Sequence, residues 1–284
     1  MNGEKVIRWS QTSNLVVKEL MHFMMRYMSE EMNRIVINAD DCGKSAEVNE
    51  AIESCIIDKI VTSTTVMANM EGFDGAIDLY KKYSKTISFG LHLNLDEGMP
   101  LNKNELLINK GLYKKEGEEI KMCIPHLWKP ANKEIYAALY NEMEAQLLKL
   151  IDNGVSVSHI DSHHHIHTAP FILPIVIKLA KNYNIRHIRG IRNFYPLSIN
   201  ECLRYGWKTY AKCLYGKCKM TDYFCSVTEF LQSNYNVKNS SIELMCHPGH
   251  PKQSFVDEGR LLKQFVVANG GHTKTAELIT YKDI

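Results

Sequence analysis

Histidines and carboxylates gather at four places in this chain, and their types are those that hold a divalent cation and move protons beside it. Asn38-Ala39-Asp40-Asp41 ends a short apolar stretch, and His92 stands in Gly90-Leu-His92-Leu. Five of the 12 histidines fall within the nine positions from His159 to His167. A fourth group, Glu243-Leu-Met-Cys-His247-Pro-Gly249-His250, adds another imidazole. One carboxylate and two imidazoles suit Zn²⁺, Fe²⁺ or Co²⁺ by donor type and leave positions open for water and substrate. Each group alone has a plainer use. Paired aspartates cap helices, a histidine among apolar residues packs in a core, and a histidine before Pro-Gly makes a turn. Their recurrence at four strand ends is what points to one site.

The elements that would position them follow from periodicity. Apolar, β-branched runs at 34–39, 61–67, 87–95, 155–160, 185–191 and 242–246 predict six strands. Between them, Val48, Ala51, Ile52, Cys55 and Ile56 recur at helical spacing, as do Phe73, Ala76, Ile77 and Tyr80. Further helices are predicted over 133–152, 173–183 and 257–268. Strands alternating with helices of this length make parallel βαβ units, whose strand ends open on one rim where active sites form. The expected fold is therefore α/β, a TIM-barrel-like (β/α) barrel, incomplete or distorted because only six strands are legible.

Length and composition agree with one large domain: 284 residues, 45% hydrophobic and 23% charged, enough to bury a sizeable core. Thirty-four basic against 32 acidic residues leave a net charge of +2, which gives no reason to expect nucleic acid as a partner. No stretch approaches the ~20 apolar residues of a membrane span, and no glycine-rich phosphate loop appears. Eight cysteines without a Cys-x-x-Cys pair indicate a reducing, cytoplasmic setting. Residues 1–32 read as an N-terminal extension, helical or poorly ordered, and 33–284 as a single domain with an insertion at about 96–132. Aromatic residues in and after that insertion (Tyr113, Trp128, Trp207) are candidates for stacking on a bound substrate.

The stretches VINADDCGKS, IVTSTTVMAN, FGLHLNLDEGMPL, HIDSHHHIHTAP and ELMCHPGH resemble, in order, the YdjC-like carbohydrate deacetylases, which include chitooligosaccharide deacetylases. The resemblance runs from about residue 34 to 267. It implies a metal-dependent enzyme that removes acetyl groups from N-acetylated oligosaccharides, with magnesium as the family's usual cation and zinc as the chemical rival. Carried over by motif, it implies Asp41, His92 and His163 as ligands, Asp40 as catalytic base and His247 as acid. Asp161, His164 and His165 become candidates to orient the ligands, and Arg189 to pair with Asp40 or with substrate. Cys42 departs from the family, which commonly has an aromatic residue there. Two other classes stay open: a metal-dependent hydrolase of another amide or a phosphate ester, and a non-catalytic sugar- or metal-binding protein. A homodimer is the expected assembly.

Overall fold

The structure is a computed structural model that describes residues 33–116, 119–122, 132–193, 210–211, 213–232, 237, 239–249 and 276–284. The extension at 1–32, the helix expected at 257–268, His250, Trp128 and Trp207 lie outside the described residues.

Among the described residues, seven parallel strands run in the order β7-β6-β3-β2-β1-β9-β8. They are β1 (Asn33–Cys42), β2 (Ser63–Val66), β3 (Ser88–Leu93), β6 (His159–Ser162), β7 (His187–Ile188), β8 (Tyr223–Ser226) and β9 (Ser241–Cys246). An eighth, β10 (Ala276–Leu278), pairs with the first residues of β1 on the edge that β2 takes over further along. The two ends of the sheet meet irregularly. Ile188 N donates to Lys219 O at 3.1 Å, and Asn193 N to Phe224 O at 3.2 Å. The result is the expected (β/α) barrel in its distorted form. Nearly every residue of β1 is buried, as a parallel strand covered on both faces requires.

Helices pack outside. In α1 (Ala46–Ile57) the Ser45 side chain caps the first turn and Asn49, Ile52, Cys55 and Ile56 face inward. The cap is therefore Ser45 and not the Asp40-Asp41 pair. Helix α2 (Phe73–Tyr83) follows β2, a short α3 (Glu105–Asn109) and the hairpin β4 (Tyr113–Glu116) and β5 (Glu119–Met122) follow β3, and α4 (Lys133–Asp152) precedes β6. Helix α5 (Leu173–Asn182) leads to β7, and α6 (Val227–Gln232) follows β8. Helix α4 buries Glu142 and Gln146 among its apolar residues. Gln146 exchanges hydrogen bonds with the backbone of Asn94, at 3.0 and 2.7 Å, and Glu142 accepts from Leu101 N and Asn102 N. These two side chains fasten the segment after β3 to the barrel wall.

Several boundaries differ from expectation. Strand β6 starts at His159 and not at 155, because Val155 N still closes onto Leu150 O at the end of α4. Strand β7 is two residues long, since Ile185 N is taken by Ala180 O at the end of α5. Helix α5 ends one residue early, with Tyr183 as its cap. Strands β8 and β10 were not expected; both are too short to show a period. Tyr113 is 3% exposed, so it packs in the core and offers no face to a sugar.

Candidate metal and hydrolytic site

A strand normally sends successive side chains to opposite faces, so Asp40 and Asp41 should point apart. They do not. Asp41 has φ +67°, and the β1–β2 register shifts between Ala39 and Cys42. A left-handed non-glycine residue stores strain of order 1–3 kcal/mol and is characteristic of functional sites. Here it turns both carboxylates into one cavity of about 530 Å³, lined also by Lys44, His92, Asp96, Glu97, His163, His164, His165 and His247.

Asp41 Oδ1 lies 3.1 Å from His92 Nε2 and 3.0 Å from His163 Nδ1. The three residues are buried, and one donor atom from each lies within 4.8 Å of the others. Although Asp41 Oδ1 is close, His92 Nε2 is buried and makes no well-aligned hydrogen bond, and such an atom is costly unless something binds it. His92 Nδ1 is held by Asp161 Oδ1 at 2.7 Å and by Thr65 Oγ1 at 3.1 Å. A carboxylate behind a histidine is the usual support of a metal-ligating imidazole. The donor set thus fits a divalent cation, and two nitrogens with one oxygen favour zinc over magnesium by softness.

Beneath this cluster Arg189 is fully buried. It donates to both oxygens of Asp40, at 2.7 and 2.6 Å, and to Glu243 Oε1 at 2.7 Å, and pairs with Asp161 Oδ2 at 2.8 Å. The Phe224 ring lies 4.8 Å from the guanidinium. Burial alone would raise the Asp40 carboxyl. The charge and hydrogen bonds of Arg189 outweigh it and hold Asp40 well below the usual carboxylate range. Glu243, equally buried and also bonded by Tyr281, is pushed up to about 7 because desolvation prevails there. His247 Nε2 lies 3.9 Å from Asp40 Oδ2, and burial lowers its pKa against the pull of Asp40 and Asp41.

The histidine run from 159 to 167 divides by location. His163 joins the cluster. His164 is exposed and paired with Asp96, and His165 lines the cavity edge-on to Phe224 with Nδ1 buried and unpartnered. The left-handed backbone at both, φ +47° and +56°, lets three successive histidines reach one cavity. His159 and His167 face away from it. His159 stacks on Tyr281 at 3.6 Å, and His167 is held by Ser162 Oγ and Arg189 O. A Cβ on Gly90 would stand 2.5 Å from the His159 ring, so glycine is what lets β3 and β6 carry His92 and His159 side by side.

Cys42 is fully buried and its thiol is pushed up to about 12, so it has no nucleophilic role. Lys44, Asp96, Glu97, Thr65 and Glu243 were not anticipated as parts of the site. The Asp96-Glu97 pair just past a histidine-bearing strand was a usable signal, but it fell in the segment read as an insertion.

Comparison with known proteins gives a consistent picture. The family model described as YdjC-like protein matches residues 34–280. A carbohydrate deacetylase of Clostridium beijerinckii is 32% identical over 266 residues, spanning 88% of this chain and 100% of that protein. One from Halalkalibacterium halodurans is 32% identical over 250 residues, spanning 87% and 95%. Among solved structures, a protein of Enterococcus faecalis V583 named for cellobiose-phosphate cleavage superposes with a TM-score of 0.68 at 20% identity, covering 89% of this chain and 98% of that one. At that identity the likeness speaks for the fold.

Proposed function

Since the chain belongs to the YdjC-like family, we propose that it is a metal-dependent carbohydrate deacetylase acting on N-acetylated sugars of the chitooligosaccharide type. The observation that carries this reading is Asp41 Oδ1 within 3.1 Å of His92 Nε2 and 3.0 Å of His163 Nδ1, with a second carboxylate, Asp40, in the same cavity. A pure binding site has no use for that second carboxylate.

An N-acetyl amide resists hydrolysis because resonance strengthens its C–N bond and because an amine leaves poorly until it is protonated. A cation held by Asp41, His92 and His163 would supply Lewis acidity toward the acetyl oxygen and toward a water. Asp40 is the base that takes the proton of the attacking water. Its bidentate grip on Arg189 keeps it ionised and aimed at some cost in basicity, since every hydrogen bond to the carboxylate favours the charged form. His247, 3.9 Å from Asp40, is the group placed to meet the departing nitrogen. Its lowered pKa makes it neutral at pH 7, so it acts as acid only after accepting the proton that Asp40 has collected. Asp161 fixes the His92 ring, and Arg189 ties Asp40, Asp161 and Glu243 into one rigid unit.

The donor chemistry favours zinc, and magnesium is the cation implied by resemblance; elemental content of protein purified without added metal separates them. The N-acetylated sugar is the partner the site is built for, and no helix among the described residues is long and apolar enough to cross a membrane. The test is acetate release from N,N′-diacetylchitobiose. Release that chelator abolishes and added cation restores supports the reading. Phosphate release from sugar phosphates without acetate release would replace it with a phosphatase, and binding without turnover would leave a sugar-binding protein.

A further inference from the structure

Glu97 stands against the cluster, and the chemistry above does not use it. Its Oε2 lies 2.9 Å from His163 Nε2 and 2.7 Å from Lys44 Nζ. The loop that carries it is built to hold it there. Glu97 N donates to Asn94 Oδ1 at 3.0 Å, and Glu97 O accepts from Asn94 Nδ2 at 2.8 Å and Asn69 Nδ2 at 3.2 Å. Asn94 is in turn clamped by Gln146 of α4. The next residue, Gly98, has φ +69°, and a Cβ there would fall 2.7 Å from Met70 Sδ.

An imidazole has two nitrogens, and the partner of one decides which remains for a cation. Asp161 occupies His92 Nδ1 and leaves Nε2 toward Asp41. Glu97 occupies His163 Nε2 and leaves Nδ1 toward Asp41. The two rings are therefore held in opposite senses by carboxylates from opposite sides of the site. We propose that Glu97, kept in place by Lys44, is the positioning residue that assigns His163 to bind the cation through Nδ1, while His92 binds through Nε2. This rests on the metal-dependent reading above.

The experiment uses the full chain and titration with Zn²⁺ against a competing chelator. Glu97→Ala should weaken zinc binding about 10–100-fold, the range for loss of a ligand's hydrogen-bonded carboxylate. Glu97→Gln, which keeps an acceptor oxygen, should lose less, and Lys44→Met should follow in the same direction. Glu71 lines a neighbouring cavity with Lys44 and Glu97, and Glu71→Gln, which removes that charge, should leave affinity unchanged. Nitrogen-15 NMR of the zinc-loaded protein should show one ligating imidazole bound through Nδ1 and one through Nε2, with the Nδ1 signature lost or mixed in Glu97→Ala. Wild-type affinity in Glu97→Ala, equal losses in Glu97→Ala and Glu71→Gln, or two Nε2-bound histidines would each overturn the assignment while leaving the metal site standing. A wild-type chain that binds no divalent cation would overturn both.

Discussion

His92 stands on a strand with its side chain 1% exposed, backed by Asp161, which is itself sealed from water. His163 stands on the turn after a strand, next to two residues with left-handed backbone, backed by Glu97 at 38% exposure. The same pairing of imidazole with carboxylate is thus made once inside the barrel and once at its rim. The inner half is held by strand register and by the Arg189 network. The outer half is held by loop hydrogen bonds and a salt bridge at the surface, where pairs contribute little each. The contrast implies a division of labour. On the proposed metal-dependent reading, both halves would hold the cation, the buried half also serving as scaffold and the rim half remaining open to whatever enters the cavity.

The largest expected effect tests whether Asp40 belongs to the chemistry or only to the inner scaffold. Asp40→Asn should retain the cation and lower kcat by about two to four orders of magnitude. Normal turnover would remove its role as base. The comparison between halves is then broken or sharpened by Asp161→Asn against Glu97→Gln. Asp161→Asn should weaken metal binding and also lower Tm in the presence of saturating metal, because Arg189 loses one of its three buried carboxylates; unpairing buried charges costs roughly 3–5 kcal/mol. Glu97→Gln should lower metal affinity with little change in that Tm. Equal thermal losses in the two variants would erase the distinction. Metal content gives a matching contrast along one turn: His163→Ala should lose the cation and His165→Ala should keep it.

Gly90→Ala tests the inner half by packing alone. The added methyl meets the His159 ring and should cost about 1–3 kcal/mol, read by denaturant unfolding. The smallest effect is the pH dependence of the metal-free protein. Burial lowers the His92 pKa, but the Asp161 charge and hydrogen bond prevail and raise it to about 10. Burial likewise opposes His163, and bonds to Asp41 and Glu97 raise it to about 9. Both folded values exceed the 6.5 of an unperturbed imidazole, so the folded, metal-free chain holds these protons more tightly than the unfolded one. That stabilisation is complete below about pH 6.5 and fades as pH rises through 9 and 10. Chelator-treated protein should lose Tm between pH 7 and 10, and metal-loaded protein should lose less. Equal slopes would mean the imidazoles do not face the cation.

Much of the fold was legible because βαβ units announce themselves locally. The periodic apolar positions of α1, α2 and α4 and the continuous apolar run of β1 mark their own types. Strand β8, four residues long, and β10, three residues long, carry no period, and β8 lies where the barrel closes irregularly. At the site, the residue types at 40, 41, 92, 163 and 247 stood out, and so did Arg189 at the end of a strand. Asp96 and Glu97 did not, because a pair of acidic residues in a polar segment looks like solvated surface. Glu142 and Gln146, which anchor that segment, sit inside a helix whose other inward positions are apolar.

Sequence alone determined the fold class, the family and the set of groups able to bind a cation and move a proton, since those depend on residue type and local spacing. Tertiary structure decided the rest. Only closure of the barrel brings Asp41 within 3.1 Å of both His92 and His163, and Glu97 within 2.9 Å of His163. Only the left-handed turn at Asp41 puts two adjacent carboxylates on one side of a strand. Which nitrogen of each imidazole faces the shared oxygen depends on carboxylates from other elements, and distance in space between such elements is not encoded by any local period.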